Sequence, residues 1–433
     1  MLRNAGAQTE QLQPLSSLVI TVHAATSMVC FPAAGLVTDR LRARKTALVV
    51  GLVVFSTATF WFFQASSVTG MLLAKGIQGG SSSLLWVASL AWCFDVSDSG
   101  KKGTVIGLVM SANDVGSLLA PPLGGLIYTA LGQPLLCTVS LLVLVLGLGC
   151  TLAVSERAEK QELGSPRWRQ PISTESDSSG TVGPSAASPA NHDRKYGLMP
   201  SRHWLLSRVP ILRCLADPAL VVSILVCTVQ AALLGVLDAS IPLATQQLFD
   251  LSVSSAGFFF IPVGLARLLA GPIGGWLVDH YGSKCVGVAG YSFLVLPLLL
   301  FDSVESTPRG PGLFLYCTLL ALSGVGMGIV STVSFVEAGK IVERYHDASP
   351  GVFGETAASA SLYGLNLMVY SLGMAVGSAL AGDFQLVVGF GNMMAVIAAI
   401  SCAAAFACRF GLESSDGICR EMGGEKNELI DRI

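Results

Sequence analysis

Residues 31–40 read FPAAGLVTDR and residues 271–280 read GPIGGWLVDH, so one pattern occurs twice at an offset of 240 positions. A repeat over such a distance indicates two structurally similar halves rather than a short local motif. The shared positions are the pairs Pro32/Pro272, Gly35/Gly275 and Asp39/Asp279.

A second landmark lies further along each half, where small residues recur at an offset of 257. The second half has therefore gained residues between the two landmarks. Two similar halves that run in the same direction and are joined by a linker are typical of secondary transporters, in which the substrate binds between the halves. The matched pairs are Gly107/Gly364, Gly116/Gly373, Ala120/Gly377 and Gly125/Gly382.

The composition places both halves in a membrane. Hydrophobic residues make up 52% and charged residues only 12% of the 433 residues, and the mean hydropathy is +0.64. Soluble domains carry roughly 25% charged residues. A net charge of −2 and a pI near 6.2 exclude a strongly basic nucleic-acid-binding protein. The eleven cysteines contain no C-x-x-C pair, which favours small buried residues over a disulfide framework.

Apolar runs of about 20 residues, long enough to cross ~30 Å of hydrocarbon, recur along the chain. The sequence predicts an all-α membrane protein with eleven spans, five in the first half and six in the second. Residues 155–216 are rich in Ser, Pro, Gly and charge, so we expect a disordered cytoplasmic linker between helical bundles at 1–154 and 217–408, with a tail at 409–433. The predicted spans are 16–37, 46–66, 70–94, 103–130, 134–154, 218–243, 254–278, 284–302, 312–336, 357–382 and 386–408.

The repeat also predicts that one helix is missing from the first half. The first span of the second half, 218–243, has no counterpart, because a shift by 240 positions places it before residue 1. We expect a truncated or wrongly started chain of a twelve-span protein. A true eleven-span variant is the alternative.

Basic residues orient the predicted spans. Of the 26 Lys and Arg, all but four lie in loops on one side, in the linker or in the tail. By the positive-inside rule, this side faces the cytoplasm. The four exceptions are Arg3 and Arg309 on the opposite side and Lys75 and Arg267 within spans.

The segment from Gly35 to Lys45, GLVTDRLRARK, resembles the glycine–aspartate–arginine motif of the major facilitator superfamily. Gly35 permits close helix approach, and Asp39 at a helix end is able to accept hydrogen bonds from a neighbouring helix end. The resemblance therefore implies a conformational latch. Basic residues that only set topology would not explain a glycine and an aspartate repeated at an offset of 240. The latch residues are Gly35, Asp39, Arg40, Arg44, Gly275 and Asp279.

Two further segments carry the resemblance. Residues 73–79, LAKGIQG, are similar to the fourth-helix motif of the superfamily, with a lysine in place of the usual arginine. Residues 116–125, GSLLAPPLGG, resemble the motif that marks its antiporters, with alanine for the second glycine. Glycines at this spacing let helices touch backbone to backbone, and prolines bend a helix. The resemblance implies the drug:proton antiporter branch, related to vesicular amine transporters, with a shaping role for Gly116, Pro121, Gly124 and Gly125.

Ionisable residues inside a membrane are costly and therefore mark candidate functional sites. We expect Asp238 to carry the proton, with Asp114 and Glu337 as alternatives, because a carboxyl group shielded from water is able to bind and release a proton as its surroundings alternate. Lys75 either faces the cavity or extends towards the membrane surface. Arg267 is expected to pair with a carboxylate of its own half. The neutral residues expected in the substrate cavity are Gln78, Asn113, Gln230, Tyr363 and Asn366.

The resemblance implies a proton-coupled exporter of small amphipathic organic molecules, such as drugs or metabolites, with two pseudo-symmetric bundles that rock about a central site. Facilitated uptake by the same fold and a non-transporting membrane protein, either a scaffold or an inactive fragment, are the alternatives. The sequence carries no motif of nucleotide-driven or metal-dependent catalysis, so we expect no enzyme, cofactor or metal. The expected partners are the lipid bilayer, a small organic substrate and protons, without nucleic acid, for a monomer in the plasma membrane or, alternatively, a vacuolar or vesicular membrane.

Overall fold

Long apolar helices make up the part of the chain that the structure describes. This computed structural model describes residues 12–41, 44–98, 100–153, 211–250, 257–305, 307–349 and 359–412. Most of the predicted linker and tail lies outside these residues, as does Arg42. The α-helices are α1 (Leu12–Arg40), α2 (Arg44–Gln64), α3 (Val68–Val96), α4 (Lys102–Ala153), α5 (Ile211–Cys214), α6 (Pro218–Phe249), α7 (Phe260–Leu300), α8 (Asp302–Glu305), α9 (Arg309–Val330), α10 (Val333–Ala348), α11 (Ser359–Val388) and α12 (Phe390–Gly411).

Two of the long helices are interrupted by a glycine. Gly132 in α4 has φ 78° and ψ −179°, and Gly282 in α7 has φ 81° and ψ 155°. Glycine adopts a positive φ at little cost, whereas other residues do so rarely. Each glycine divides its helix close to a boundary that the sequence predicts between neighbouring spans.

Eight helical stretches among the described residues are long and apolar enough to cross a membrane, judged by length and composition. The all-α membrane fold predicted from the sequence is therefore confirmed. The count of eleven spans, the division into five and six, and the domain boundaries stay predictions.

Helix contacts divide the molecule into two groups. In the first, α3 packs against both α1 and α2; in the second, α7 packs against α9 and α12, and α6 packs against α11. The groups meet mainly along two helix pairs, α1 with α11 and α4 with α7. These two crossings position the two aspartate contacts and the deeper ion pair that are described below.

Small residues allow α6 and α11 to touch backbone to backbone. A Cβ atom added at Gly373 would collide with the backbone of Thr228, and one added at Gly377 would collide with that of Ala232. Contacts of this kind drive helix association in a membrane, where burial of apolar side chains gives little advantage over lipid.

The matching face of α4 has no such neighbour among the described residues. By the offset of 257, Gly116 corresponds to Gly373, yet a Cβ atom added at Gly116 meets nothing within 4 Å. The same is true of Gly124 and Gly125. This is the face on which a counterpart of α6 would pack, and the predicted absence of that helix from the first half stays a prediction.

Gly373→Leu is expected to lower the thermal midpoint of the purified protein in detergent, because the new side chain has to push α6 and α11 apart. Overpacking of this kind costs roughly 1–3 kcal/mol. Gly116→Leu, at the matching position of α4, is expected to leave the midpoint nearly unchanged. A fall after Gly116→Leu as large as that after Gly373→Leu would contradict the prediction and would mean that another helix covers α4.

Candidate functional site

Asp39, at the end of α1, caps a helix that belongs to the opposite half. Its carboxylate accepts hydrogen bonds from the backbone N–H groups of Ala360 at 3.1 Å and Ser361 at 2.7 Å, in the first turn of α11. The Ser361 hydroxyl donates to the same carboxylate. The first N–H groups of a helix have no partner within the helix, and the helix dipole favours an anion at that end. Asp39 therefore joins the two halves.

Asp279 makes the equivalent contact in the opposite direction. Its two carboxylate oxygens accept hydrogen bonds from the backbone N–H groups of Gly103 and Thr104, both at 2.7 Å, in the first turn of α4. The Thr104 hydroxyl adds a third at 2.8 Å. The two aspartates are related by the offset of 240, and the helix starts that they cap, in α4 and α11, are related by the offset of 257. The two repeats found in the sequence are therefore the two sides of one kind of contact.

The repeated glycines make room for these caps. A Cβ atom added at Gly35 would collide with the backbone of Ala360 and Ser361, and one added at Gly275 would collide with Gly103. Each glycine lies one helical turn before its aspartate. Glycine and aspartate thus act on the same helix N-terminus, the glycine through close approach and the aspartate through hydrogen bonds.

Arg44 reinforces only the first of the two caps. Its guanidinium donates to Asp39 at 3.0 Å, to the Thr38 carbonyl at 2.9 Å and to Asp95 at 3.2 Å. Across the interface it donates to the Ser359 hydroxyl at 3.1 Å, and that hydroxyl donates to Asp95 at 3.0 Å. We call the two caps together with Arg44, Asp95 and Ser359 the latch.

The second cap has no counterpart of the Arg44 hydrogen bonds in the described part of the chain, although the charge of Lys340 interacts with that of Asp279. Lys284 stands at the position of Arg44 by the offset of 240, but in the described part of the chain it makes no hydrogen bond or ion pair. Lys102, next to the capped residues, forms an ion pair with Glu343 of α10 at 2.6 Å, with the Lys102 side chain 5% and the Glu343 side chain 42% exposed. Arg40, which the sequence places in the latch, is exposed.

Sequence reasoning missed Asp95 and Ser359. Asp95 directly follows the predicted span 70–94, and an acidic residue at a span end close to basic residues is the signal that could have drawn attention to it. Ser359 carried no signal, because a serine near a helix start is common.

Aromatic rings close the interface beside the latch. Phe94 of the first half packs edge-on against Tyr363 of the second at 5.9 Å between ring centroids, and Tyr363 stacks on Phe335 at 6.2 Å. The Lys102 ammonium lies 4.2 Å from the centroid of the Phe94 ring. Tyr363, expected in the substrate cavity, is fully buried in this seam in the present conformation. The latch side of the molecule is therefore closed.

An ion pair joins the halves deeper in the interface. The Arg267 guanidinium of α7 lies 3.0 Å from the Asp114 carboxylate of α4, and both side chains are largely buried. The expectation that Arg267 pairs within its own half is therefore wrong. The reason is the crossing of α4 and α7, where a Cβ atom added at Gly107 would collide with the backbone of Gly271. This close approach brings Asp114 within reach of Arg267.

Asp238 is within electrostatic range of this pair. It is half-buried on α6, and its charge interacts with those of Arg267 and Asp114. Tyr370 of α11 interacts with the same three groups. We call Asp114, Asp238, Arg267 and Tyr370 the central cluster, to which four helices from both halves contribute.

The remaining predicted residues lie in three kinds of surroundings. Asn366 and Gln230 are buried, and both side-chain polar atoms of Asn366 and the Gln230 carbonyl oxygen have no hydrogen-bond partner. Asn113 is exposed, in contrast to its neighbour Asp114. Glu337 is buried on α10, where its charge interacts with that of Lys340.

Lys75 is bound within the first half. Its ammonium donates to the Gln78 carbonyl oxygen at 2.7 Å and lies 4.6 Å from the centroid of the Phe62 ring. Gln78 in turn donates to the Thr59 hydroxyl at 2.7 Å. The chain from Lys75 to Thr59 connects α3 with α2 and is separate from the central cluster in the contacts described.

Comparison with known proteins identifies relatives of this chain. The sequence pattern of the Major Facilitator Superfamily matches residues 9–349. The MFS-type transporter ppzB of Metarhizium majus (strain ARSEF 297) is 30% identical over 427 residues, which cover 94% of this chain and 93% of ppzB. The synaptic vesicular amine transporter of Homo sapiens is 22% identical over 91% of this chain and 66% of its own length.

Solved structures share the fold. The proton:xylose symporter XylE matches with a TM-score of 0.65 at 14% sequence identity, over 93% of this chain and 87% of that one. The human organic anion transporter MFSD10 matches with a TM-score of 0.61 at 18% sequence identity, over 91% of this chain and 83% of the transporter.

Asp39→Ala is expected to speed hydrogen–deuterium exchange of the Ala360 and Ser361 amides, and Asp279→Ala that of the Gly103 and Thr104 amides. Loss of a helix cap costs about 0.5–2 kcal/mol, which corresponds to an acceleration of roughly two- to thirtyfold. Mass spectrometry of the peptides that contain the two helix starts measures both effects.

Arg40→Ala is the control for this measurement, because Arg40 is exposed. If Arg40→Ala accelerates exchange as much as Asp39→Ala, or if neither aspartate variant changes its own helix start, the described caps are not what protects these amides.

Proposed function

The chain belongs to the major facilitator superfamily, and from that premise we propose that it exports small amphipathic organic molecules in exchange for protons. The family and the relation to vesicular amine transporters expected from the motifs are confirmed. Membrane transport of a small substrate follows from the family. The proposal concerns the direction of transport, its coupling to protons and the class of substrate.

The ion pair between Arg267 and Asp114 carries the proposal. Its two partners belong to different halves and are largely buried in the interface. Charges at such positions are expensive and serve a function by default. A proton bound to Asp114 removes one charge of the pair, and the halves lose a contact that holds them in their present arrangement. Proton binding thereby biases the balance between the two conformations.

The latch supports alternating access. On the side predicted to be cytoplasmic, Asp39 and Asp279 each hold a helix start of the opposite half. Opening this side requires both caps to part, because each cap joins helices that would move away from each other. The described conformation thus corresponds to the state closed towards the cytoplasm.

The surroundings of Asp238 favour a cationic substrate. The central cluster holds two carboxylates and one guanidinium, and Asp238 makes no ion pair in the described part of the chain. One relative is a synaptic vesicular amine transporter by name. An organic amine is therefore the first substrate to test, and the unpartnered polar atoms of Gln230 on α6 and Asn366 on α11 are candidate hydrogen-bonding groups for it. The similarity of residues 116–125 to the antiporter motif supports export rather than uptake. We propose the plasma membrane, with a vesicular or vacuolar membrane as the alternative.

Proteoliposomes that contain the purified protein and an acidic interior are expected to accumulate rhodamine 6G, a fluorescent organic cation, as protons leave. Asp114→Asn and Asp238→Asn are each expected to reduce the initial rate at least about tenfold, because the loss of one charged partner in the cluster corresponds to about 1.4 kcal/mol or more. Dye fluorescence over time provides the measurement.

Asp98→Asn is the matched control, since this carboxylate lies in an exposed loop. It is expected to transport at the unmodified rate, and nigericin is expected to abolish the accumulation. Dye movement that does not respond to the pH gradient would favour facilitated uptake. If neither the dye nor any component of a metabolite extract moves, the non-transporting alternative replaces the proposal.

A further inference from the structure

Two basic residues lie where the second part of α7 begins and α12 ends. Lys284 follows Gly282, the glycine that divides α7, by two residues, and Arg409 lies in the last turn of α12. Neither makes a hydrogen bond or an ion pair in the described part of the chain. The helices touch here, since a Cβ atom added at Gly287, three residues after Lys284, would lie 2.9 Å from the sulfur of Cys408. We call this place, with Lys284 and Arg409, the α7–α12 corner.

The repeat shows how the first half fills its matching corner. By the offsets of 240 and 257, Lys45 corresponds to Cys285 and Leu152 to Arg409. The Lys45 ammonium donates a hydrogen bond to the Leu152 carbonyl at 3.1 Å. The neighbouring Arg44 donates to acceptors of the latch. The first half therefore supplies acceptors for the cations of its own corner, whereas the second half supplies none among the described residues.

Two carboxylates of the second half come close to the α7–α12 corner, and both are engaged elsewhere. Asp279 precedes Lys284 by five residues, but it caps the start of α4. The charge of Glu337 interacts with that of Cys408, but Glu337 is buried on α10 and also interacts with Lys340. The corner therefore keeps its two positive charges available to an acceptor from outside the protein.

Exposed aromatic rings place this corner at the level of a membrane surface. Phe410 is 75% and Tyr281 60% exposed, and the Arg409 guanidinium lies 6.0 Å from the centroid of the Phe410 ring. Aromatic side chains are enriched where headgroups meet hydrocarbon, and Lys and Arg extend their charges from this level towards the headgroups. The corner lies on the side predicted to be cytoplasmic, and the cytoplasmic leaflet carries anionic lipids.

We propose that the α7–α12 corner binds the headgroup of an anionic phospholipid from the cytoplasmic leaflet. Lys284 and Arg409 donate to the phosphate oxygens, and the acyl chains lie along the exposed apolar faces of α7 and α12, which include Leu296 and Phe406. Basic pockets between transmembrane helices on this side recognise such headgroups, and each basic residue strengthens the attraction roughly fivefold. The site is separate from the central cluster, so it does not depend on the proposed export.

Native mass spectrometry of the purified protein in detergent, titrated with phosphatidylserine or phosphatidylcholine, tests the site. The first phosphatidylserine is expected to bind at least about fivefold more tightly than the first phosphatidylcholine. Lys284→Gln and Arg409→Gln are each expected to weaken phosphatidylserine binding about fivefold, and together roughly twenty-five-fold, with little effect on phosphatidylcholine.

The matched control removes the same charge elsewhere on the same side. Arg40→Gln combined with Lys101→Gln changes two exposed residues of the first half and is expected to leave the first phosphatidylserine as tightly bound as before. Lys284→Arg combined with Arg409→Lys keeps both charges and is expected to preserve binding. The proposal is refuted if the control pair weakens binding as much as the pair at the corner, or if the pair at the corner binds like the unmodified protein.

A labelling experiment on the unmodified protein locates the lipid and identifies its source. Phosphatidylserine is expected to slow the reaction of N-ethylmaleimide with Cys285, which is exposed beside Lys284, and not with Cys150, which is exposed on α4. Mass spectrometry of the labelled peptides measures both rates. An unchanged rate at Cys285 would overturn the site. Equal protection by glycerophosphoserine, the headgroup without acyl chains, at the same concentration would mean that the ligand is a free phosphate compound and would overturn the lipid.

Discussion

The unpaired N–H groups at two helix starts are the constraint on which the interface depends. A helix leaves its first backbone donors without a partner, and a membrane protein has little water near its interior to supply one. Here α4 and α11 obtain their acceptors from carboxylates of the opposite half, Asp279 and Asp39. Neither half alone supplies acceptors for the N–H groups at its own helix start. Backbone hydrogen bonds therefore stabilise the closed conformation as well as contacts between side chains.

The helix pair α4 and α7 carries two levels of contact between the halves. At one level Asp279 caps the start of α4, and at the other Arg267 pairs with Asp114. Arg267 and Asp279 are 12 residues apart on α7, which corresponds to about 18 Å along a helix that rises 1.5 Å per residue. One continuous helical segment of α7 therefore connects the ion pair with the cap.

The sequence predicts the latch better than the central cluster. Repetition of a glycine and an aspartate at one offset, and of small residues at another, is sufficient to propose that Asp39 and Asp279 act alike. It does not reveal that Arg267 faces Asp114, because a partner across an interface depends on the rotation and crossing of helices that are distant in sequence. Asp95 was overlooked for a related reason, since its role arises only where α3 meets α11.

The two caps differ in their surroundings although the repeat makes them equivalent. Arg44 joins Asp39 to Asp95 and Ser359, whereas Lys284 at the corresponding position adds no bond to Asp279 within the described residues. The cap at Asp279 lies on the same helix pair, α4 and α7, as the ion pair between Arg267 and Asp114. In the export cycle proposed above, a proton at Asp114 therefore acts first on α4 and α7, and the two halves respond unequally even though the repeat relates them.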